Sequence, residues 1–304
     1  MTCAFLFPGQ AVAVGAAAAE WHARSGTARG LLDRAAERAG TTVARVLHAG
    51  SGAFDDTAVY QPVVTALCVG AFLEVRARGV APDVVAGHSL GELAACVAAG
   101  VLTPEAAVDV AATRGAAMAR AAGRRPGGMV ALRVNSREAA LEAAEGVAAL
   151  GRVEIAAHNA ADEWVLSGDW AALRALPARF APVALATDGP WHSSAMEPAV
   201  AEYRAALLQA LHGRPRLTLV SNATGSPVGP GDDLVELLAG QLTRPVEWAA
   251  TLATLSGMAV ERFVTIGPAK ALRGLARRGL GRGVRLEGVD VPEDLPAVAG
   301  ALVV

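Results

Sequence analysis

Val84-Val85-Ala86-Gly87-His88-Ser89-Leu90-Gly91-Glu92 is the stretch on which the reading of the whole chain turns. Val84-Val85-Ala86 is a short apolar run of the kind that forms a strand buried on both faces. Glu92 to Ala99 reads as a helix. The serine between them fits the G-x-S-x-G nucleophile elbow, and it stands where such an elbow must stand, on a strand-to-helix bend. Acyl chemistry needs that placement. A serine on the crest is held away from the sheet, and flanking glycines let the backbone come close to its neighbours. The helix N-terminus brings N–H groups and the positive end of a dipole to the reacting carbonyl. The same pentapeptide can also be a glycine-rich turn that merely joins two elements; the strand before it and the helix after it favour the elbow.

Working outward, Cys3 to Phe7 predicts a buried strand closed by Pro8-Gly9, and residues 58–79 predict a helix stopped by Gly79. Thr103-Pro104-Glu105 marks a helix start, with Thr as N-cap and Pro in the first turn. Pro and glycines cluster at 124–128, and beyond them the order changes. Strands at 129–134, 153–157, 164–167 and 183–186 alternate with helices at 136–150 and 169–178, the β-α-β-β-α-β order of a ferredoxin-like layer. After His192 come a helix at 194–211, a strand at 217–221, helices near 232–242 and 246–256, a strand at 260–266 and a last helix at 269–280. The expected fold class is therefore α/β: an α/β-hydrolase-like core with a mostly parallel sheet, residues 1–125 and 191–304, carrying an inserted ferredoxin-like subdomain at 126–190.

The composition agrees. In 304 residues, 53% are hydrophobic and 18% charged, which fits a compact globular protein and not a disordered one. The net charge of -2 gives no case for nucleic acid or a membrane surface as the main partner. Lys270 is the one lysine, so 26 of the 27 basic residues are arginine, a bias best ascribed to base composition. Cys3, Cys68 and Cys96 are scattered, without a CxxC pair or a nearby histidine, so neither a disulfide framework nor a zinc site is expected and a cytoplasmic, reducing setting is. The apolar N-terminus lacks the basic start of a secretory signal, and Pro8-Gly9 interrupts it. Nowhere do about 20 apolar residues run on without Gly, Pro or charge.

A serine hydroxyl needs a base. Of six histidines, His88 adjoins Ser89 and is expected to point away and pack, whereas His192 lies in the loop Asp188-Gly189-Pro190-Trp191-His192-Ser193-Ser194 just before a helix, a common place for catalytic groups. Taken alone, His192 can equally be a loop-filling side chain.

Phe7-Pro8-Gly9-Gln10, Gly87 to Glu92, Thr113-Arg114-Gly115-Ala116-Ala117-Met118, Trp191-His192-Ser193 and Gln241-Leu242-Thr243-Arg244-Pro245-Val246-Glu247-Trp248 resemble successive blocks of the malonyl-CoA:acyl carrier protein transacylase family, over roughly residues 3–282. The resemblance implies Ser89 as acyl-accepting nucleophile and His192 as base and then acid. It implies that the main-chain carbonyl of Gln241 holds the histidine and that the N–H groups of Gln10 and Leu90 form the oxyanion hole. It also implies that Arg114 clamps the free carboxylate of a malonyl group and that Asn159 faces the acyl pocket. Two departures stand out. Ala11-Val12-Ala13 replaces a more polar continuation after Gln10, and Gly189-Pro190-Trp191 precedes the histidine, where a bulky aromatic tends to accompany malonyl. Trp191 is thus expected to narrow the pocket.

Lys270, Arg273, Arg277, Arg278, Arg282 and Arg285 form a run without an acidic residue, which suits docking of an acidic carrier protein and equally suits a solvated helix face. The implied reaction moves malonyl from coenzyme A to a carrier acting in trans, with no cofactor beyond coenzyme A and phosphopantetheine as substrates, by a monomer. Other readings are an editing hydrolase, a transferase of an unusual acyl unit between carriers, and an idle docking module.

Overall fold

The computed structural model describes residues 2–9, 14–48, 56–281 and 283–300. Strand β1 (Cys3–Phe7) is followed by helices α1 (Gly15–Arg24), α2 (Gly26–Arg38) and α3 (Val43–Leu47), then α4 (Thr57–Ala77). β2 (Val84–Gly87) runs into α5 (Gly91–Ala98) through the serine bend. α6 (Pro104–Arg124) starts as its sequence demands, with Thr103 Oγ1 accepting from the Ala106 N–H at 3.1 Å and Pro104 in the first turn. α4 is apolar and long enough to cross a membrane by length and composition, yet most of it is buried, packed against α2, α5 and α6. It is a core helix.

Next come β3 (Gly128–Leu132), α7 (Arg137–Glu145), β4 (Val153–Ala160), β5 (Glu163–Gly168), α8 (Trp170–Arg174) and β6 (Val183–Ala184). Their strands pair antiparallel in the order β4-β5-β3-β6, the ferredoxin-like arrangement. Helix α8 is shorter than the expected 169–178, because Pro177 bars further helix.

The chain then continues through α9 (Glu197–Ala210), β7 (Thr218–Ser221), β8 (Ser226–Pro227), α10 (Leu234–Gly240), α11 (Trp248–Gly257), β9 (Arg262–Ile266), α12 (Lys270–Leu280), β10 (Arg285–Val289) and α13 (Leu295–Ala299). The large sheet has the order β10-β9-β1-β2-β7-β8, parallel except for β8. β1, β2 and β9 are buried along their whole length, as parallel strands covered by helices on both faces must be. β10 lies half-exposed on the edge, so its residues carry no apolar run by which to be found.

The two sheets are stitched together. The His158 N–H donates to the Val246 carbonyl and the Val246 N–H to the Ala156 carbonyl, both at 2.9 Å, so a core residue pairs with β4. A cleft is left above the carboxyl ends of β1 and β2, where α/β sheets place their ligands.

That cleft depends on close packing at the bend. A Cβ on Gly91 would lie 2.2 Å from the Phe7 carbonyl oxygen, and one on Gly87 would lie 2.1 Å from the Gly91 carbonyl carbon. Backbone cannot yield as a side chain can, so Gly91→Ala should lower the unfolding free energy by about 2–4 kcal/mol. Denaturant titration measures this; a loss under about 0.5 kcal/mol would mean that β1 and the bend do not touch in this way.

Candidate active site

Ser89 sits at φ 50° between β2 and α5, in the left-handed region that costs an L-residue roughly 1–2 kcal/mol. The surrounding sheet and helix hold it there, and its hydroxyl is thrown into the cleft. Leu90 is the N-cap residue of α5, and its N–H finds no backbone acceptor among the described residues. Gln10, expected to supply the second oxyanion donor, lies outside the described residues.

His192 also has a positive φ, 57°. Its Nε2 lies 2.7 Å from Ser89 Oγ, and its Nδ1 lies 2.7 Å from the main-chain carbonyl of Gln241. A carbonyl can only accept, so Nδ1 carries the proton and Nε2 presents a lone pair to the serine. Burial pushes the imidazole down to about 3, helped by the Arg114 charge and opposed by the Gln241 carbonyl. It is therefore neutral at ordinary pH and able to take the serine proton. The loop is held from both sides. Ser193 Oγ donates to the Pro190 carbonyl at 2.6 Å, while Glu154 on β4 accepts from the Ser194 N–H at 2.9 Å and from its hydroxyl at 2.5 Å.

Arg114 comes from α6 and is 2% exposed. Nη1 donates to Gln61 Oε1 at 2.7 Å; Nη2 donates to Ser89 Oγ and to Gln241 Oε1, each at 3.3 Å. The guanidinium lies 5.7 Å from the centre of the Tyr203 ring, and its Nε has no partner among the described atoms. Burial pushes its pKa down, with Tyr203 and Glu92 opposing. Among the described residues none of its side-chain hydrogen bonds goes to a carboxylate, so its fork is left open to a direct pair with an anion from outside.

These three groups line one narrow cavity of ≈ 90 Å³ together with Leu90, Asn159 and Trp191. It adjoins a wider hollow of ≈ 460 Å³ between Pro8, Gly9 and Glu163 on one side and Leu272, Leu275 and Arg278 of α12 on the other. A larger open groove of ≈ 850 Å³ around Arg214 and Val235 holds none of these groups. Trp191 is buried, with its ring over Gly189, where a Cβ would come within 2.4 Å of it. Asn159 does face the cavity, but its amide is already engaged: Oδ1 meets His88 Nε2 at 2.9 Å and Nδ2 donates to Glu163 Oε1 at 3.1 Å. His88 is thus more than packing; it ties the bend to the small sheet.

The basic run is less free than its sequence suggests. Arg273 pairs with Asp290, Arg278 with Glu163, and Arg285 with Glu287; Arg282 lies outside the described residues. Exposed Lys270 and Arg277 have no ion-pair partner among the described residues. The sequence reading passed over Gln61, Tyr203 and Glu92. Only Glu92 carried a signal, as an acid in an otherwise apolar helix.

A model of the family described as acyl transferase domain matches residues 4–282. The malonyl CoA-acyl carrier protein transacylase of Mycolicibacterium smegmatis is 40% identical over 256 residues, covering 79% of this chain and 84% of the relative. The crystal structure of MCAT from Mycobacterium tuberculosis superposes with a TM-score of 0.89 at 35% identity, covering 98% of this chain and all of that one. The acyltransferase domain from the second module of the salinomycin polyketide synthase gives a TM-score of 0.85 at 30% identity, covering 99% of this chain and 72% of that one.

The imidazole sets a pH signature. With its ionisation displaced from the ordinary 6.5 to about 3, acylation of Ser89 should show no histidine inflection near 6.5, and its acidic limb should fall below about pH 5. Quenched single-turnover acylation across that range measures it; a tenfold loss centred at 6.5 would mean a solvated imidazole.

Proposed function

The chain belongs to the acyl transferase domain family, and from that premise we propose that it moves a malonyl group from coenzyme A to the phosphopantetheine thiol of an acyl carrier protein through an ester on Ser89. The observation that carries the choice of acyl group is Arg114: a buried guanidinium with no carboxylate bonded to it among the described residues, 3.3 Å from the serine oxygen. A pocket built this way is destabilised when empty of anion and satisfied by a dicarboxylic acyl group.

In the first half-reaction His192 Nε2 takes the Ser89 proton as Oγ attacks the thioester carbonyl. The carbonyl oxygen becomes an oxyanion facing the Leu90 N–H and, in this reading, the Gln10 N–H. The C–S bond breaks, and the coenzyme A sulfur leaves with the proton from His192. In the second half-reaction the carrier thiol gives its proton to His192, its sulfur attacks the ester, the C–O bond breaks and Ser89 recovers the proton. Gln241 keeps the imidazole in the required tautomer throughout. Trp191 narrows the space at the acyl α-carbon. The wider hollow under α12 takes the pantetheine arm.

The chemistry uses side chains and backbone only, with the coenzyme A thioester and the carrier's phosphopantetheine thiol as substrates. Residues 126–190 act as the inserted layer that roofs the cleft. Lys270 and Arg277 meet the acidic face of the carrier. The three cysteines are buried and unpaired, in keeping with a reducing cytoplasmic setting.

Intact-mass analysis after exposure to malonyl-CoA should show one malonyl adduct, absent in Ser89→Ala. Loss of a charge-assisted pair worth about 3 kcal/mol means that Arg114→Ala should slow malonyl acylation roughly a hundredfold and acetyl acylation far less. Equal loss for both acyl groups would remove Arg114 from carboxylate binding. Arg277→Glu should raise the carrier KM several-fold and leave acylation by malonyl-CoA alone; an unchanged carrier KM would place docking elsewhere.

A further inference from the structure

Glu92 is an acid in a place where an acid is costly. It stands fully buried in the first turn of α5, in a helix whose other residues are small or apolar. A carboxylate there must have its oxygens satisfied, and it does. Oε2 accepts from Asn222 Nδ2 at 2.5 Å and from Gln241 Nε2 at 2.9 Å, and Oε1 accepts from the Asn222 N–H at 3.3 Å.

Gln241 is the link from this carboxylate to the reacting groups. Its Nε2 donates to Glu92, its Oε1 accepts from Arg114 Nη2 at 3.3 Å, and its main-chain carbonyl accepts from His192 Nδ1 at 2.7 Å. Only one orientation of the amide works. Turned over, it would aim its NH₂ at a guanidinium and its oxygen at a carboxylate. A carboxylate or a thioether at this position could not serve both neighbours.

We infer that Glu92 is a positioning residue for the transfer: by holding the Gln241 amide it sets where the Arg114 fork reaches. The inference rests on the malonyl reading, since only an acyl group bearing a carboxylate can pair with the Arg114 fork. A carboxylate bonded directly to Arg114 would occupy the fork and exclude such a substrate. A core without any would leave the cation bare. An acid one amide away does neither, and it leaves Arg114 Nε without a protein partner among the described residues.

The electrostatics agree. Charged or titratable groups around Glu92 and Gln241 include Arg114 from α6, Tyr203 from α9, Cys96 one turn along α5 and His192 on the Gln241 carbonyl, with His88 acting on His192. Burial raises Tyr203 and Cys96 further, so both stay neutral and Arg114 is the cation that acts on Glu92. Burial raises Glu92 itself to about 7, against the Ser221, Asn222, Arg114 and Gln241 interactions.

Two variants test the inference. Glu92→Gln is nearly isosteric and can keep an oxygen toward Asn222 and Gln241 while losing the charge. Gln241→Met keeps the main-chain carbonyl and loses the amide. Quenched intact-mass kinetics with malonyl-CoA and with acetyl-CoA give a rate ratio for each. The malonyl-to-acetyl ratio should fall about tenfold or more in Gln241→Met and about threefold or more in Glu92→Gln. If both acyl groups slow by one common factor, Glu92 is merely a clamp between α5 and β7, and the inference is overturned; unchanged rates overturn it as well. Each variant reads out independently, so a folding failure in one leaves the other to decide. An unsubstituted protein that accepts no malonyl group would sink the transfer reading itself, a distinguishable result.

Discussion

A hydroxyl and an imidazole 103 residues apart in the chain stand 2.7 Å from each other, and most of the architecture serves that distance. Both Ser89 and His192 adopt left-handed backbone conformations that neither would choose alone. The serine is forced there by the passage from β2 to α5, which only glycines at 87 and 91 permit. The histidine is forced there by a loop that the small sheet grips through Glu154 and that the core grips through the Gln241 carbonyl. Strain at two points is thus held by contacts from both layers, and neither layer alone could hold the pair in register.

Around that pair the charges are distributed with economy. Three ionisable side chains, Glu92, Arg114 and His192, are buried within one shell, yet no direct carboxylate–guanidinium bond forms among them. A neutral amide stands between acid and base instead. The result is an imidazole kept uncharged and a guanidinium kept cationic and available, which is the division of labour a dicarboxylic thioester requires.

Much of this was legible in the sequence, for identifiable reasons. The bend was legible because strand, glycines, serine and helix are contiguous. The ferredoxin-like layer was legible because its six elements alternate cleanly and only their order was needed. Ser89 was reached through the elbow, and His192, Arg114 and the Gln241 carbonyl through a resemblance; the structure brings all four together. What escaped was mostly relational. Helix α2 buries Ala28, Leu31, Leu32, Ala35 and Ala36 at helical spacing, a pattern that was there to be read and was missed, whereas edge strand β10 lacks an apolar run. A run of basic residues says nothing of the acids that fold back onto it, so the pairing of Arg278 with Glu163 on the small sheet was invisible. Equally, no linear reading shows that Asn159 spends its amide on His88 and Glu163.

The ring of Trp191 lies over the bare Cα of Gly189. This makes the order of change at the acyl pocket directional. A lineage drifting toward bulkier acyl groups could shrink the aromatic residue first and afterwards fill position 189, since the ring would be gone. The opposite order meets a clash at its first step. Once both positions had changed, restoring the indole would require the glycine back beforehand. Two neighbouring codons therefore act as a ratchet on the diversification of this site, through nothing more than the volume of one methyl group.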